Sequence, residues 1–215
     1  MTIKENTRSV AEEVADILLD EGAVLINSEE PFVYSSGVIS PIYCDMRLLM
    51  RSPVSRRRIV KLLEKRISES CGDAIDVVAG VATAGISWAS WLAELMGKPM
   101  AYVRDAPKGH GRQQQVEGGV ESGQSASVVE DLTSTGASAL TAVDGLRQIG
   151  AKVDYCVSIF TYELPRSVDG FKSVGVEPIS LCGVSMLREV ATGNDRITSE
   201  AEQAVRELLA SQARS

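Results

Sequence analysis

Glu130-Asp131, followed by Thr133, Ser134, Thr135, Gly136 and Ser138, are the residues whose types and spacing could do chemistry. Two adjacent carboxylates cannot hold a phosphate, but they can orient sugar hydroxyls or a metal-bound group. The hydroxyls and glycine behind them suit an anion. Small side chains allow close approach, and a helix opening at Ala139-Leu140 offers free backbone N–H groups. Carboxylates beside a phosphate-sized loop fit a ribose 5-phosphate. The same order, an acidic strand end before a hydroxyl-rich helix start, also occurs as plain capping with no ligand, so this segment leaves both readings open. The chain has neither Gly-x-x-x-x-Gly-Lys-Ser/Thr nor Gly-x-Gly-x-x-Gly after a strand, which argues against Walker and dinucleotide loops.

A second stretch, residues 104–124, gathers cations in an acidic chain. It holds Arg104, Lys108, Arg112 and His110, the only histidine, among Gly109, Gly111, Gly118 and Gly119. Long polar loops are lids, binding loops or solvated surface. A lid closing over a polyphosphate would need both the cations and a proton donor.

The elements that must position these residues follow from periodicity and punctuation. Residues 7–21 form an amphipathic helix stopped by Gly22, and residues 23–47 are extended and turn-punctuated, a small β hairpin or hood. Ser52-Pro53 opens a second helix as N-cap and N1. Strands are expected at 75–79, 99–103, 126–131 and 152–160. Helices are expected at 85–96, closed by Gly97, and 137–149, closed by Gly150. A capping box, Ser199-x-x-Glu202, heads a C-terminal helix. Alternating strands and helices imply an α/β fold with a mainly parallel central sheet flanked by helices. One domain over 1–215, with about 20–47 contributing the hood, is the economical division. In such sheets ligands bind beyond the carboxyl ends of the strands. GVATAG (80–85), the loop opening at Arg104, and EDLTSTGAS (130–138) all fall there.

Composition narrows the partners. The 215 residues are 44% hydrophobic, enough for one good core, and no apolar run approaches membrane-spanning length. The N-terminus lacks a signal-peptide core, and the four cysteines are scattered, which fits reduced thiols in a cytoplasmic protein. A net charge of −7 argues against a nucleic-acid surface.

Residues 127–139 resemble the phosphoribosyl diphosphate (PRPP) signature of the type I phosphoribosyltransferases: hydrophobic strand, two acids, a Thr/Ser pair, Gly, small residues. YVRDAPKGHGRQQQVEG (102–118) is similar to the catalytic loop of the orotate phosphoribosyltransferase family. SSGVISPIYCDMR (35–47) resembles that family's segment beside the base, GVATAGISWA (80–89) its diphosphate-side loop, and IFTY (159–162) recurs in one branch. The resemblance implies the type I phosphoribosyltransferase fold with a small N-terminal β hood. It implies transfer of the phosphoribosyl group of PRPP to orotate in UMP synthesis, with Mg²⁺ carried by PRPP and water rather than by direct protein ligands. It further implies a homodimer whose lid crosses into the neighbouring site.

By position, Arg104, Lys108 and His110 would contact the diphosphate. Glu130, Asp131, Leu132, Thr133, Ser134, Thr135, Gly136, Ala137 and Ser138 would hold the ribose and its 5-phosphate. Ser134 would also touch orotate, and Ala82, Thr83, Ala84 and Gly85 would form the diphosphate-side loop. Lys108, His110 and Asp131 are the expected catalytic residues. Four positions depart from the family: Asp105 and Ile39 stand where lysine is common, Ser87 where proline is usual, and Thr133 where an aliphatic residue is usual. The alternatives are another nucleobase, or a catalytically silent protein on the same fold that senses PRPP or nucleotides.

Overall fold

The computed structural model describes residues 8–33, 39–72, 74–106 and 115–213. Helix α1 (Val10–Asp20) starts in a capping box: the Ser9 hydroxyl accepts the Glu12 N–H at 3.2 Å, and the Ser9 N–H donates to Glu12 at 2.6 Å. Strands β1 (Val24–Ile26), β2 (Phe32–Val33), β3 (Ile39–Ser40) and β4 (Ile42–Cys44) pair antiparallel as β1–β4 and β2–β3. They are the expected N-terminal β region, made as two small sheets. A 3-10 helix (Met46–Arg51) leads into α2 (Pro53–Cys71), which is capped by Ser52 with proline at its start, as expected.

The rest alternates. In order come β5 (Val77–Val81), α3 (Ala84–Met96), β6 (Met100–Val103), β7 (Val116–Gly118), β8 (Ser125–Thr133), α4 (Ala137–Gln148) and β9 (Lys152–Thr161). Then follow α5 (Pro165–Ser173), β10 (Glu177–Gly183), α6 (Val184–Gly193) and α7 (Ser199–Gln212). Six strands form one sheet in the order β10-β9-β8-β5-β6-β7, parallel except for β7. Side chains alternate across each strand. Val77, Ala79, Val81 and Val128 therefore enter the core beneath α4 and α5, and Val78 and Val129 enter the one shared with α1, α2, α3 and α6. Each fully buried aliphatic side chain stabilises by roughly 1.5–3 kcal/mol. This two-sided burial explains strands that read as continuous apolar runs.

Three expectations are corrected. β7 lies inside the stretch 104–124, for which no strand was expected; it exists because it pairs with β6, Ala101↔Gly118 to Val103↔Val116. β8 extends two residues beyond the acidic pair, so Glu130 and Asp131 lie within the strand rather than at its end. Thr198, not Ser199, caps α7, while Glu202 turns to Arg188 and Arg206. In the run Arg56-Arg57-Arg58 near the start of α2, Arg58 forks onto Glu13 and Arg56 lies over Trp91 at 4.7 Å.

Among the described residues no helix is long and apolar enough to cross a membrane. All four cysteines are free, and burial pushes the Cys182 thiol up to about 12.

Candidate functional site

The direction of the chain reverses across the sheet between β5 and β8. From β5 it proceeds to β6 on one side, and from β8 to β9 on the other. Such a switch point opens a crevice beyond the strand ends. Pairing of β8 with β5 ends at Gly80↔Val129, so Glu130 and Asp131 lie past the last residue of β5 paired to β8, while β9 still accompanies β8 to Thr133↔Thr161.

The first wall is the turn from β8 into α4. Glu130 and residues 132–139 line a cleft of about 210 Å³. Gly136 makes the turn at φ +79, and an added Cβ would stand 3.0 Å from Ser167 Oγ and 3.2 Å from Phe171. Glycine meets both demands without strain. The Thr135 hydroxyl accepts the Ala137 N–H at 3.3 Å. Helix geometry leaves the next N–H groups, of Ser138 and Ala139, without intrahelical acceptors. The turn thus combines hydroxyls with a helix N-terminus, as an anion requires.

The second wall is the turn from β5 into α3. Thr83 occupies the N-cap without making a side-chain cap, and the Ala82–Thr83 peptide is cis. Gly85 packs so closely on β8 that a Cβ would run into the Val129 carbonyl oxygen. This seats the start of α3 beside the acidic pair. Ala82, Thr83, Ile86, Tyr102, Arg104, Asp105 and Ala106 line a second cleft of about 410 Å³. At the mouth of the long loop, the Arg104 N–H donates to the Gln115 carbonyl at 3.0 Å, and Gln115 Nε2 returns a bond to the Arg104 carbonyl at 2.9 Å. The flanks of the loop are therefore tied together. Lys108 and His110 lie outside the described residues.

Glu130 is buried and the neighbouring Asp131 half-buried. Glu130 is 8% exposed. Its Oε1 accepts the Asp131 N–H at 3.1 Å, and Asp131 Oδ1 accepts the Leu132 N–H at 2.8 Å. Burial, then the charge of Asp131, pushes Glu130 up to about 9. Burial also raises Asp131, opposed by its bond with Glu130, by the backbone N–H and by Arg47. Adjacent carboxyls withdrawn from water resist ionising together.

The structure thus brings together Arg104, residues 130–138 and Ala82 to Gly85 at neighbouring strand ends, as expected. The reading of the sequence missed Tyr102 and Ile86, which line the second cleft, and Arg47, whose charge acts on Asp131 from the 3-10 helix. The only prior signal for Arg47 was its place two residues after Asp45 in the segment 35–47.

A two-sided parallel sheet with its crevice at the switch point defines an α/β protein whose ligand site lies at strand ends. The model of the phosphoribosyl transferase domain matches residues 50–179. The orotate phosphoribosyltransferase of Bacillus mycoides is 48% identical over 179 residues, 83% of this chain and 85% of that protein. Among solved structures, that of orotate phosphoribosyltransferase from Aeropyrum pernix superposes with a TM-score of 0.73 at 31% identity, covering 86% of this chain and 99% of that one. Leishmania donovani UMP synthase gives 0.78 at 26%, covering 94% of this chain, which spans 42% of that longer protein. The chain belongs to the phosphoribosyltransferase family, in its orotate phosphoribosyltransferase branch, and has the type I fold.

Proposed function

We propose that this chain transfers the phosphoribosyl group of PRPP to orotate, giving orotidine 5′-monophosphate and diphosphate in pyrimidine synthesis. The observation that carries this is the convergence of three strand-end segments, after β5, β6 and β8, on one crevice in a chain 48% identical to an orotate phosphoribosyltransferase.

A nitrogen of the base attacks C1 of the ribose while diphosphate leaves, and positive charge develops on the sugar. Residues 133–138 hold the 5-phosphate through hydroxyls and the α4 N-terminus. Ser134 is the residue of this turn proposed to touch orotate as well. Asp131 and Glu130 orient the ribose hydroxyls, and the carboxylate stabilises the charge on the ring. Arg104, Lys108 and His110 supply positive charge for the departing diphosphate, and His110 is the group proposed to protonate it. Ala82 to Gly85 offer backbone groups on the diphosphate side. Loop closure keeps water from C1.

Carboxylates beside a hydroxyl-lined cleft are oxygen groups of the kind that suit Mg²⁺, and Glu130 and Asp131 would hold it indirectly, through water or ribose hydroxyls. Its contribution when bound is to neutralise diphosphate charge. A cytoplasmic homodimer, with the loop of one subunit closing the neighbouring site, completes the proposal.

A second reading keeps the reaction and changes the base. Ile39 is 64% exposed and brings no cation, and Asp105 adds negative charge toward Glu130. The deciding experiment offers orotate, uracil, adenine, hypoxanthine and xanthine separately with PRPP and Mg²⁺, following nucleotide and diphosphate. Turnover of orotate alone is expected. Turnover of another base instead corrects the substrate, and PRPP binding without turnover of any base moves the chain to a sensor role.

A further inference from the structure

Both backbone polar groups of Arg104 are held by one residue, Gln115, from the far side of the long loop. The Arg104 N–H donates to the Gln115 carbonyl at 3.0 Å, and Gln115 Nε2 donates to the Arg104 carbonyl at 2.9 Å. This clasp carries the β6–β7 ladder one step past its last pair, Val103↔Val116. A backbone tied at both its N–H and its carbonyl cannot swing about its own φ and ψ without breaking a bond.

Gly145 of α4 makes room for the clasp. Glycine inside a helix is destabilising relative to alanine, so its place there calls for a packing reason. Gly145 is buried, and a Cβ on it would stand 3.0 Å from Gln115 Cδ and Oε1 and 3.2 Å from Val103 Cγ1. The half-buried Gln115 amide is thus wedged between α4 and the Arg104 backbone. Gln115 lines neither cleft, yet it joins the two: α4 opens at the hydroxyl-rich turn of the first, and Arg104 lines the second with Ala82, Thr83 and Tyr102.

We propose that Gln115, seated on Gly145, is a positioning residue for the reaction: it fixes the Arg104 backbone so that the guanidinium meets the diphosphate end of PRPP. The inference rests on the phosphoribosyl transfer proposed above, in which Arg104 supplies charge for that group. Arginine has a long, flexible stem, and anchoring its Cα at a set distance from the phosphate turn removes part of the freedom that binding would otherwise have to remove.

Calorimetric titration of the full chain with inorganic diphosphate and, separately, with ribose 5-phosphate, each with Mg²⁺, tests this without turnover. Gln115→Met keeps the length of the side chain and removes the amide donor. It is expected to weaken diphosphate binding about tenfold, the scale of one misplaced charge-assisted hydrogen bond, and ribose 5-phosphate binding by less than about twofold. Gly145→Ala pushes on the same amide from behind and should give part of that loss; it carries the same comparison if Gln115→Met does not fold. In an Arg104→Ala background Gln115→Met should weaken diphosphate binding no further, because a residue acting through Arg104 has nothing left to position. Equal losses for the two ligands overturn the proposal, as does full additivity with Arg104→Ala. Wild-type protein that bound diphosphate but turned over no base would overturn the reaction, while these titrations would still decide the role of Gln115.

Discussion

The turn from β5 into α3 and the turn from β8 into α4 leave adjacent parallel strands, and each ends at a helix start with no side-chain cap at its N-cap residue. Their side chains differ. The β8 turn carries hydroxyls at Thr133, Ser134, Thr135 and Ser138 around a small cleft. The β5 turn carries one, Thr83, between alanines, and Gly85 is pressed against the backbone of β8. A helix start supplies N–H groups in both cases. Side chains decide whether an anion is gripped from several directions or meets only backbone. The first turn is built to hold, the second to approach closely.

Asp131, next to the holding turn, should give the largest effect. Asp131→Asn is expected to lower kcat by roughly 100- to 1,000-fold, the scale of losing one preorganised electrostatic group. Steady-state kinetics read this, and a loss under tenfold would separate the acidic pair from the chemistry.

Gly85→Ala comes next. Its Cβ has no room beside the Val129 carbonyl, so a destabilisation of about 3 kcal/mol is expected by urea unfolding. Gly136→Ala, strained but facing a hydroxyl and a ring edge that can shift, should cost about 1–2 kcal/mol. The reverse order would mean that the holding turn, not the approaching one, is the tighter.

Glu130 sets a pH dependence. Its folded carboxyl is raised to about 9, so between the unfolded value near 4.5 and that pH the folded protein binds a proton that the unfolded chain has lost. Stability should therefore fall as pH rises through this window. Glu130→Gln should flatten that slope and stabilise by about 2 kcal/mol at pH 8.5, while lowering activity. Unfolding curves at pH 6 and 8.5 decide it.

The smallest effects sharpen the contrast most directly. Thr135→Ala and Ser138→Ala should each raise KM for PRPP by about 5- to 10-fold, the worth of one hydrogen bond to a charged group. Thr83→Ala should change it by less than about twofold, because that turn offers backbone. Equal effects would erase the distinction between the turns.

The outcomes of the reading follow from where each element gets its stability. β5, β8, α3 and α4 were legible to within about two residues. Their apolar runs are long, and Gly97 and Gly150 mark the chain just past the two helices. The short strand β7, with Gly118 at φ +104, has no pattern of its own and owes its form to pairing with β6. No elements were expected over residues 165–193, which hold α5, β10 and α6. α5 has nine residues and β10 begins Glu177-Pro178, so burial against β9 and α4 organises what local pattern does not.

The same division holds in the site. The chemistry of residues 130–138 was visible because residue type and order are local properties: acids, then hydroxyls, then a glycine before a helix. That Glu130 is buried beside a half-buried Asp131, that β8 runs on past the end of β5, and that Gly85 seats α3 beside them required the assembled sheet. Arg47 belongs to the second group. It lies 84 positions before Asp131 in the chain, and only the packing of the 3-10 helix on β8 carries its charge to that carboxyl. By itself the sequence determined which groups could act and the local turns that present them, because those depend on neighbours along the chain. The tertiary structure decided which charges meet and which carboxyls leave water, because Coulomb interaction and desolvation depend on distance through space.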